Sequence, residues 1–165
     1  MSGIDSSCKV LSSVNDKLVY KAICCLKEGD YIAVRDKGLK KIESIYFRDY
    51  RVNNKKGLEI YRIKKRDNMI DDILLEKGCS ILENNEFVNI KEAKFAIQDR
   101  QKRHYRTYTI QLEDNIDSEN RDTIFINGIE VIVKNITLPK FLKKDSLEKE
   151  ENISMSKKID IYRVP

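Results

Sequence analysis

Apolar residues along this chain come in short runs separated by Asn, Asp, Gly and Ser, and within the runs apolar and polar positions alternate. Alternation of that period predicts strands with one face buried. Lys9–Leu11 and Leu18–Ile23 flank Ser12, Ser13, Asn15 and Asp16, which predicts a first hairpin. Tyr31–Arg35 and Lys40–Tyr46 flank Asp36-Lys37-Gly38, where the glycine supplies a positive φ, and predict a second. Asn53-Asn54-Lys55-Lys56-Gly57 is a looser connection before Glu59–Lys64. Asp72–Leu75 and Ser80–Leu82 lie around Lys77-Gly78-Cys79, and Asn84-Asn85 turns the chain into Glu86–Asn89. Tyr105–Glu113 alternates well, with Tyr108, Ile110 and Leu112 on one face. Thr123–Ile126, a turn at Asn127-Gly128 and Ile129–Val133 form a last clear hairpin.

Strands this short, recurring at roughly 8–12 residues, predict an all-β fold rather than alternating β and α units. Helical periodicity is weak. Lys91–Phe95 predicts one turn, and Thr137 can cap a short C-terminal helix that has Pro139 in its first turn and runs through Phe141 and Leu142. Lys143–Asn152 is highly charged, open between helix and disorder, and Ile159–Val164 reads as a final strand or as an arm that pairs with something else. The expected organisation is a β domain over residues 1–142 and a charged extension over 143–165.

A chain of 165 residues with 41% hydrophobic residues can bury a core without a metal or disulfide. The net charge of +5 is modest, with both signs interspersed, unlike the concentrated basic stripe of a nucleic-acid binder. The one compact basic run is Arg100, Lys102, Arg103 and Arg106, interleaved with Tyr105 and Tyr108. A solvated loop is its ordinary reading, and a phosphate or acidic-partner contact the sharper one. The four cysteines, Cys8, Cys24, Cys25 and Cys79, form no CxxC pair, so zinc-ribbon and thioredoxin-like readings lack support. Adjacent Cys24 and Cys25 would point to opposite faces of a strand. Neither a signal peptide nor a run of ~20 apolar residues is present, which predicts free thiols in a reducing compartment.

Three blocks carry a resemblance. Leu26-Lys27-Glu28-Gly29-Asp30-Tyr31-Ile32, with Gly38-Leu39-Lys40-Lys41-Ile42 and Ile45, resembles "L-K-x-G-D-x-V … G-x-K-x-I … I". Tyr61-Arg62-Ile63-Lys64-Lys65, Met69, Asp72-Ile73-Leu74-Leu75 and Gly78-Cys79-Ser80-Ile81-Leu82 resemble "Y-R-M-K-K … M-x-D-L-I-x-x-G-G-H-S-I-L". Tyr108-Thr109-Ile110-Gln111-Leu112-Glu113, then Phe125-Ile126-Asn127-Gly128-Ile129, resemble "Y-H-F-x-L-E … W-A-N-G-V", and Asn135–Leu142 is similar to a short closing helix. In this order the blocks resemble the hedgehog/intein (Hint) domain of giant-virus proteins. The resemblance implies a pseudo-symmetric horseshoe of short strands that rearranges a peptide bond at its own start. In that family a cysteine or serine attacks the preceding carbonyl, and a histidine protonates the departing amide nitrogen. An amine is a poor leaving group until protonated, and imidazole titrates in the right range to do it.

This sequence departs from the family at the decisive positions. Cys79 stands where the "G-H-S" histidine belongs, and Thr109 where the "Y-H-F" histidine belongs. A thiol, with a reference pKa of about 8.5, donates a proton poorly and is more often a small buried filler. The only histidine, His104, fits neither position. Aligning Lys9-Val10-Leu11 with the family's opening strand puts the nucleophile position at Gly3, or at Ser2 with a one-residue shift. Cys8 is the nearest thiol, and Cys25, ahead of Leu26 and Gly29-Asp30, offers a rival opening. Lys134-Asn135-Ile136 has an asparagine without the histidine and following nucleophile that splicing requires.

These departures predict a non-enzymatic structural or interaction protein of a giant DNA virus, a virion or minor capsid component residing in the particle or the host cytoplasm. Its expected contacts to other virion proteins are the four cations Arg100, Lys102, Arg103 and Arg106, and Ile159, Ile161 and Tyr162, because a terminal strand can add to a neighbour's sheet edge. No cofactor and no metal is expected. The alternatives are residual self-cleavage, with Cys8 or Cys25 as nucleophile and Cys79 or His104 as proton donor, and nucleic-acid binding through the basic run. The carboxylate pairs Asp71-Asp72 and Glu113-Asp114 read as surface charge, and Tyr46, Phe47 and Tyr50 as packing.

Overall fold

Three two-residue turns set the hairpin framework. Asn15-Asp16, Asn84-Asn85 and Asn127-Gly128 each hold both central residues at positive φ, the signature of the turn whose twist matches paired strands. Asparagine tolerates this region better than most side chains, which is why it leads all three turns and fills both places of one, with aspartate and glycine in second place in the other two. The computed structural model describes residues 3–51, 59–113 and 122–133, and the backbone of 161–163.

The strands are β1 (Ile4–Asp5), β2 (Lys9–Val14), β3 (Lys17–Ala22), β4 (Tyr31–Val34), β5 (Gly38–Arg51), β6 (Ile60–Ile63) and β7 (Ile73–Glu76). They continue with β8 (Ser80–Glu83), β9 (Glu86–Asn89), β10 (Ile97–Gln98), β11 (His104–Leu112), β12 (Asp122–Ile126), β13 (Ile129–Val133) and β14 (Ile161–Arg163). Every pairing among them is antiparallel, along the path β10-β6-β7-β1-β11-β5-β4-β2-β12-β13-β8-β9. The expected all-β class holds. The expected single turn near Lys91 is a 3-10 turn, Ile90–Glu92, capped by the Asn89 side chain on the Lys91 amide.

β5 makes the sheet curl. Its first residues pair with β4 (Gly38↔Val34 to Lys41↔Tyr31), and the rest pair with β11 (Ser44↔Gln111 to Arg51↔His104). Between them the register slips at Gln111/Leu112, leaving Glu43 as the extra residue. A bulge of this kind bends its strand and sharpens the twist. The sheet wraps a core that includes Ile4, Val10, Ile32, Ile45, Ile73, Leu75, Ile110, Leu112, Ile124 and Ile126, with a small second cluster of Ile60, Leu74 and Tyr105 on the opposite face. The expected closing helix over 135–142 and the 143–152 segment lie outside the described residues. β14 lies along β5 of its own chain, Ile161 opposite Arg48 and Tyr162 opposite Phe47. Among the described residues no helix is long and apolar enough to cross a membrane.

The Asn127-Gly128 turn does more than reverse the chain. Asn127 is fully buried, its Oδ1 accepts from the Lys9 amide (2.8 Å) and its Nδ2 donates to the Asp72 carbonyl (2.8 Å). Its own amide donates to the Lys9 carbonyl (3.0 Å), and its carbonyl accepts from the Ile70 amide (3.1 Å). Gly128 has φ +92°, and a Cβ there would run into the Asn68 carbonyl. Asn127→Ala leaves two interior backbone groups without partners, at about 1–3 kcal/mol each. Urea unfolding of that variant is expected to show a loss of about 2–4 kcal/mol. A change within measurement error would contradict this reading of the turn.

Candidate functional site

The site begins with the shortest strand. β1 lies between β7 and β11, with Ile4 opposite both Leu75 and Tyr108 and Asp5 opposite Thr107. Strand alternation sends the Ile4 side chain into the main core and leaves Gly3 and Asp5 on the other face. The Gly3 carbonyl accepts from the Glu76 amide (2.9 Å) and from Cys79 Sγ (3.5 Å). Thr107 Oγ1 donates to Glu76 Oε1 (2.5 Å), so a hydroxyl and a carboxylate meet directly above Gly3. A Cβ on Gly3 would lie 2.7 Å from both Cβ and Oγ1 of Thr107 and would collide with the Glu76 carboxylate. Glycine is required here by space, not by backbone angle.

Asp5 is fully buried. Its Oδ2 accepts from the Ser7 amide (3.1 Å), the Ser7 hydroxyl (2.6 Å) and Lys102 Nζ (3.2 Å). Cys79 is buried on the turn after β7, its amide donating to the Glu76 carbonyl (3.0 Å) and its carbonyl accepting from the Ile90 amide (2.9 Å). The two positions aligned by sequence as nucleophile and proton donor, Gly3 and Cys79, are therefore brought into contact. Ser2, the one-residue-shifted alternative, lies outside the described residues.

The other candidates fall elsewhere. Cys8 is buried and donates to the Leu74 carbonyl (3.6 Å), and burial pushes its thiol up to about 12. Thr109 sits in β11 opposite Tyr46. His104 is at the far end of the same strand, its Nε2 3.4 Å from Asp49 Oδ1. Cys25 and Cys24 are exposed on a 3-10 turn, Ile23–Cys25, so the strand expected to run through Ile23 ends at Ala22 and the two thiols do not straddle a sheet.

Two of the four cations of the basic run are engaged in ion pairs within the chain. Lys102 holds Asp5, and Arg106 makes a two-point pair with Asp49 (2.7 and 2.9 Å) while lying over the Phe47 ring. That guanidinium holds the Asp49 carboxyl below its ordinary range. Arg100 and Arg103 are exposed. Ile161 and Tyr162 belong to a strand paired internally through its backbone, and Ile159 lies outside the described residues. Of the carboxylate pairs, Asp72 accepts from the Lys65 amide and Arg62, and Glu113 accepts from the Lys41 amide, which are structural uses. Phe47 packs near Tyr108 and Tyr50 against the second cluster. Among the described residues no group of three or more His, Cys, Asp and Glu could hold a metal ion.

Sequence reasoning missed Asp5, Glu76 and Thr107. The only available signal was their alternation with apolar neighbours, and that marks a face without saying what it meets.

No protein-family model matches the chain, and no curated protein matches its sequence. Among solved structures, the DnaB intein of Synechocystis sp. PCC 6803 is similar, with a TM-score of 0.53 at 11% identity over 82% of this chain and 100% of that one. The fold is Hint-like. At this identity the likeness concerns architecture alone, and the curled antiparallel sheet with its inserted first strand agrees with it.

Native-state alkylation with iodoacetamide at pH 8 is expected to modify Cys24 and Cys25 and to spare Cys8 and Cys79, with all four reacting in denaturant. The Cys8 thiol and the Tyr105 hydroxyl are both pushed up to about 12 by burial, from 9.0 and 10.0. Each loses its proton more readily in the unfolded chain, so stability is intact below pH 9.0 and declines as pH rises toward 12. A urea midpoint that stays constant across that window would contradict the burial of these groups.

Proposed function

We propose that this chain is a Hint-fold interaction module that does not rearrange peptide bonds, acting by shape and contact as a structural component of a giant DNA virus particle. One observation carries this reading: Gly3, the position that the sequence alignment gives to the nucleophile, has no side chain and no room for one.

Rearrangement would take place at the peptide that precedes position 3, and it needs an attacking atom and a donor that protonates the leaving nitrogen. Gly3 brings no attacking atom, the Cys79 thiol donates to Gly3's own carbonyl, one peptide further on, and the imidazole of His104 sits on Asp49 at the far end of β11. The interaction reading draws support from one face of β3–β5, where Leu18, Tyr31 and Leu39 are exposed on the same side of the paired strands. Contiguous apolar surface of this kind is a property of proteins that associate. The particle setting draws on the block resemblance, and stoichiometric recovery from purified particles is its matching check.

The test of inertness is a reporter domain fused ahead of Met1 and incubated at neutral pH with and without dithiothreitol. A single full-length mass under both conditions is expected. Release of the reporter, or its thiol-dependent transfer, would establish autoprocessing and end this reading.

A further inference from the structure

Cys24 and Cys25 lie apart from the Gly3–Cys79 site, and both are exposed free thiols. Successive residues of a 3-10 turn are about 120° apart, which lets adjacent side chains converge where a strand would separate them. Their sulfurs stand 3.9 Å apart. The turn itself is fixed. Ile23 is fully buried, its amide donates to the Cys8 carbonyl (3.0 Å), and the Leu26 amide closes the turn onto the Ile23 carbonyl (3.2 Å).

The sulfur separation decides which chemistry suits the pair. A disulfide needs sulfurs about 2.05 Å apart and usually Cα atoms at least ~4.4 Å apart. Neighbouring Cα atoms across a trans peptide are only about 3.8 Å apart, so a ring closed between adjacent cysteines is strained. Two thiolates on one tetrahedral soft ion, at bond lengths of about 2.3 Å, stand about 3.8 Å apart, and on a pyramidal trivalent centre a few tenths of an ångström closer, which a small rotation of two exposed side chains supplies. The pair already has that span. Among the described residues no cluster offers the third and fourth ligands of a closed zinc site. The suitable guest is one satisfied by two sulfurs.

We propose that Cys24 and Cys25 form a surface dithiol that chelates soft thiophilic centres, trivalent arsenicals foremost, in preference to closing a disulfide. With a monosubstituted arsine oxide, each thiol gives up its proton, two As–S bonds form, and the arsenical's oxygen leaves as water. No electrons are transferred. The Cys24 thiol is held above its usual range by burial and then by the Cys25 thiol, which slows direct oxidation because the thiolate is the reactive form. Cys8 and Cys79 are buried and each donates to a backbone carbonyl, so they do not compete.

The experiment uses the full-length native protein, one equivalent of phenylarsine oxide, and intact mass before and after excess glutathione. One adduct, formed with loss of one water, is expected to resist glutathione, to be released by 2,3-dimercaptopropanol, and to map to the peptide carrying residues 24 and 25. Cys24→Ser and Cys25→Ser should each weaken retention by about 10²–10⁴-fold, the advantage of two linked contacts over one. Circular dichroism confirms that these exposed-site variants fold. Absence of an adduct on the native chain, or full retention in either variant, would overturn the proposal. So would rapid closure by diamide of a 24–25 disulfide that glutathione does not reopen.

Discussion

The ladder path through this molecule crosses from β7 to β11 on a strand two residues long. Ile4 pairs on one side with Leu75 and on the other with Tyr108, and the wing β10-β6-β7 joins the rest of the sheet path through it. The flanking strands also reach over β1, where the Thr107 hydroxyl meets the Glu76 carboxylate. That contact leaves space for glycine alone at position 3. The backbone is correspondingly well satisfied, since the Gly3 carbonyl takes two donors. β1 is a tightly packed structural joint between the two strands that flank it.

Buried carboxylates extend the theme. Asp122 is fully buried between Lys37 and Lys40 (2.6 and 3.0 Å), which fixes β12 against the β4–β5 hairpin. Asp99 is bound by Arg62 and by the Tyr105 hydroxyl, fastening the chain beyond β10 to β6 and β11. Asp5 takes Lys102 across ninety-seven residues of chain. Such pairs recover little net stability after desolvation, yet removing one partner strands a charge and is costly. They hold the sheet in one register.

The hairpins were legible because their turns are written in residue types. Asn15-Asp16, Asn84-Asn85 and Asn127-Gly128 announce positive φ, and the flanking alternation supplies the faces. β1 and β10 were not legible, since two residues cannot display a period. β5 runs to Arg51 because its far half is covered by β11, and its bulge at Glu43 depends on a partner seventy residues away in the chain. Cys24 and Cys25 looked like strand neighbours, and the 3-10 turn that brings their sulfurs together is imposed by the anchoring of Ile23 to Cys8. At the site, the alignment singled out Gly3 and Cys79, and the fold brings the two into contact. Their company of Asp5, Glu76 and Thr107 is a product of tertiary packing, and nothing local in the sequence marks it.

The central claim is that β1, with the Gly3 carbonyl held by two donors, is a locked structural joint, and amide hydrogen exchange reads this directly. The Glu76 amide donates to the Gly3 carbonyl, and the Ser6 amide to the Arg106 carbonyl, both at 2.9 Å. If β1 is locked, these two amides exchange only when the whole domain unfolds, with a free energy equal to that from denaturant titration. Exchange at the rate of the surface turns would show that β1 leaves its slot on its own, and would contradict the account.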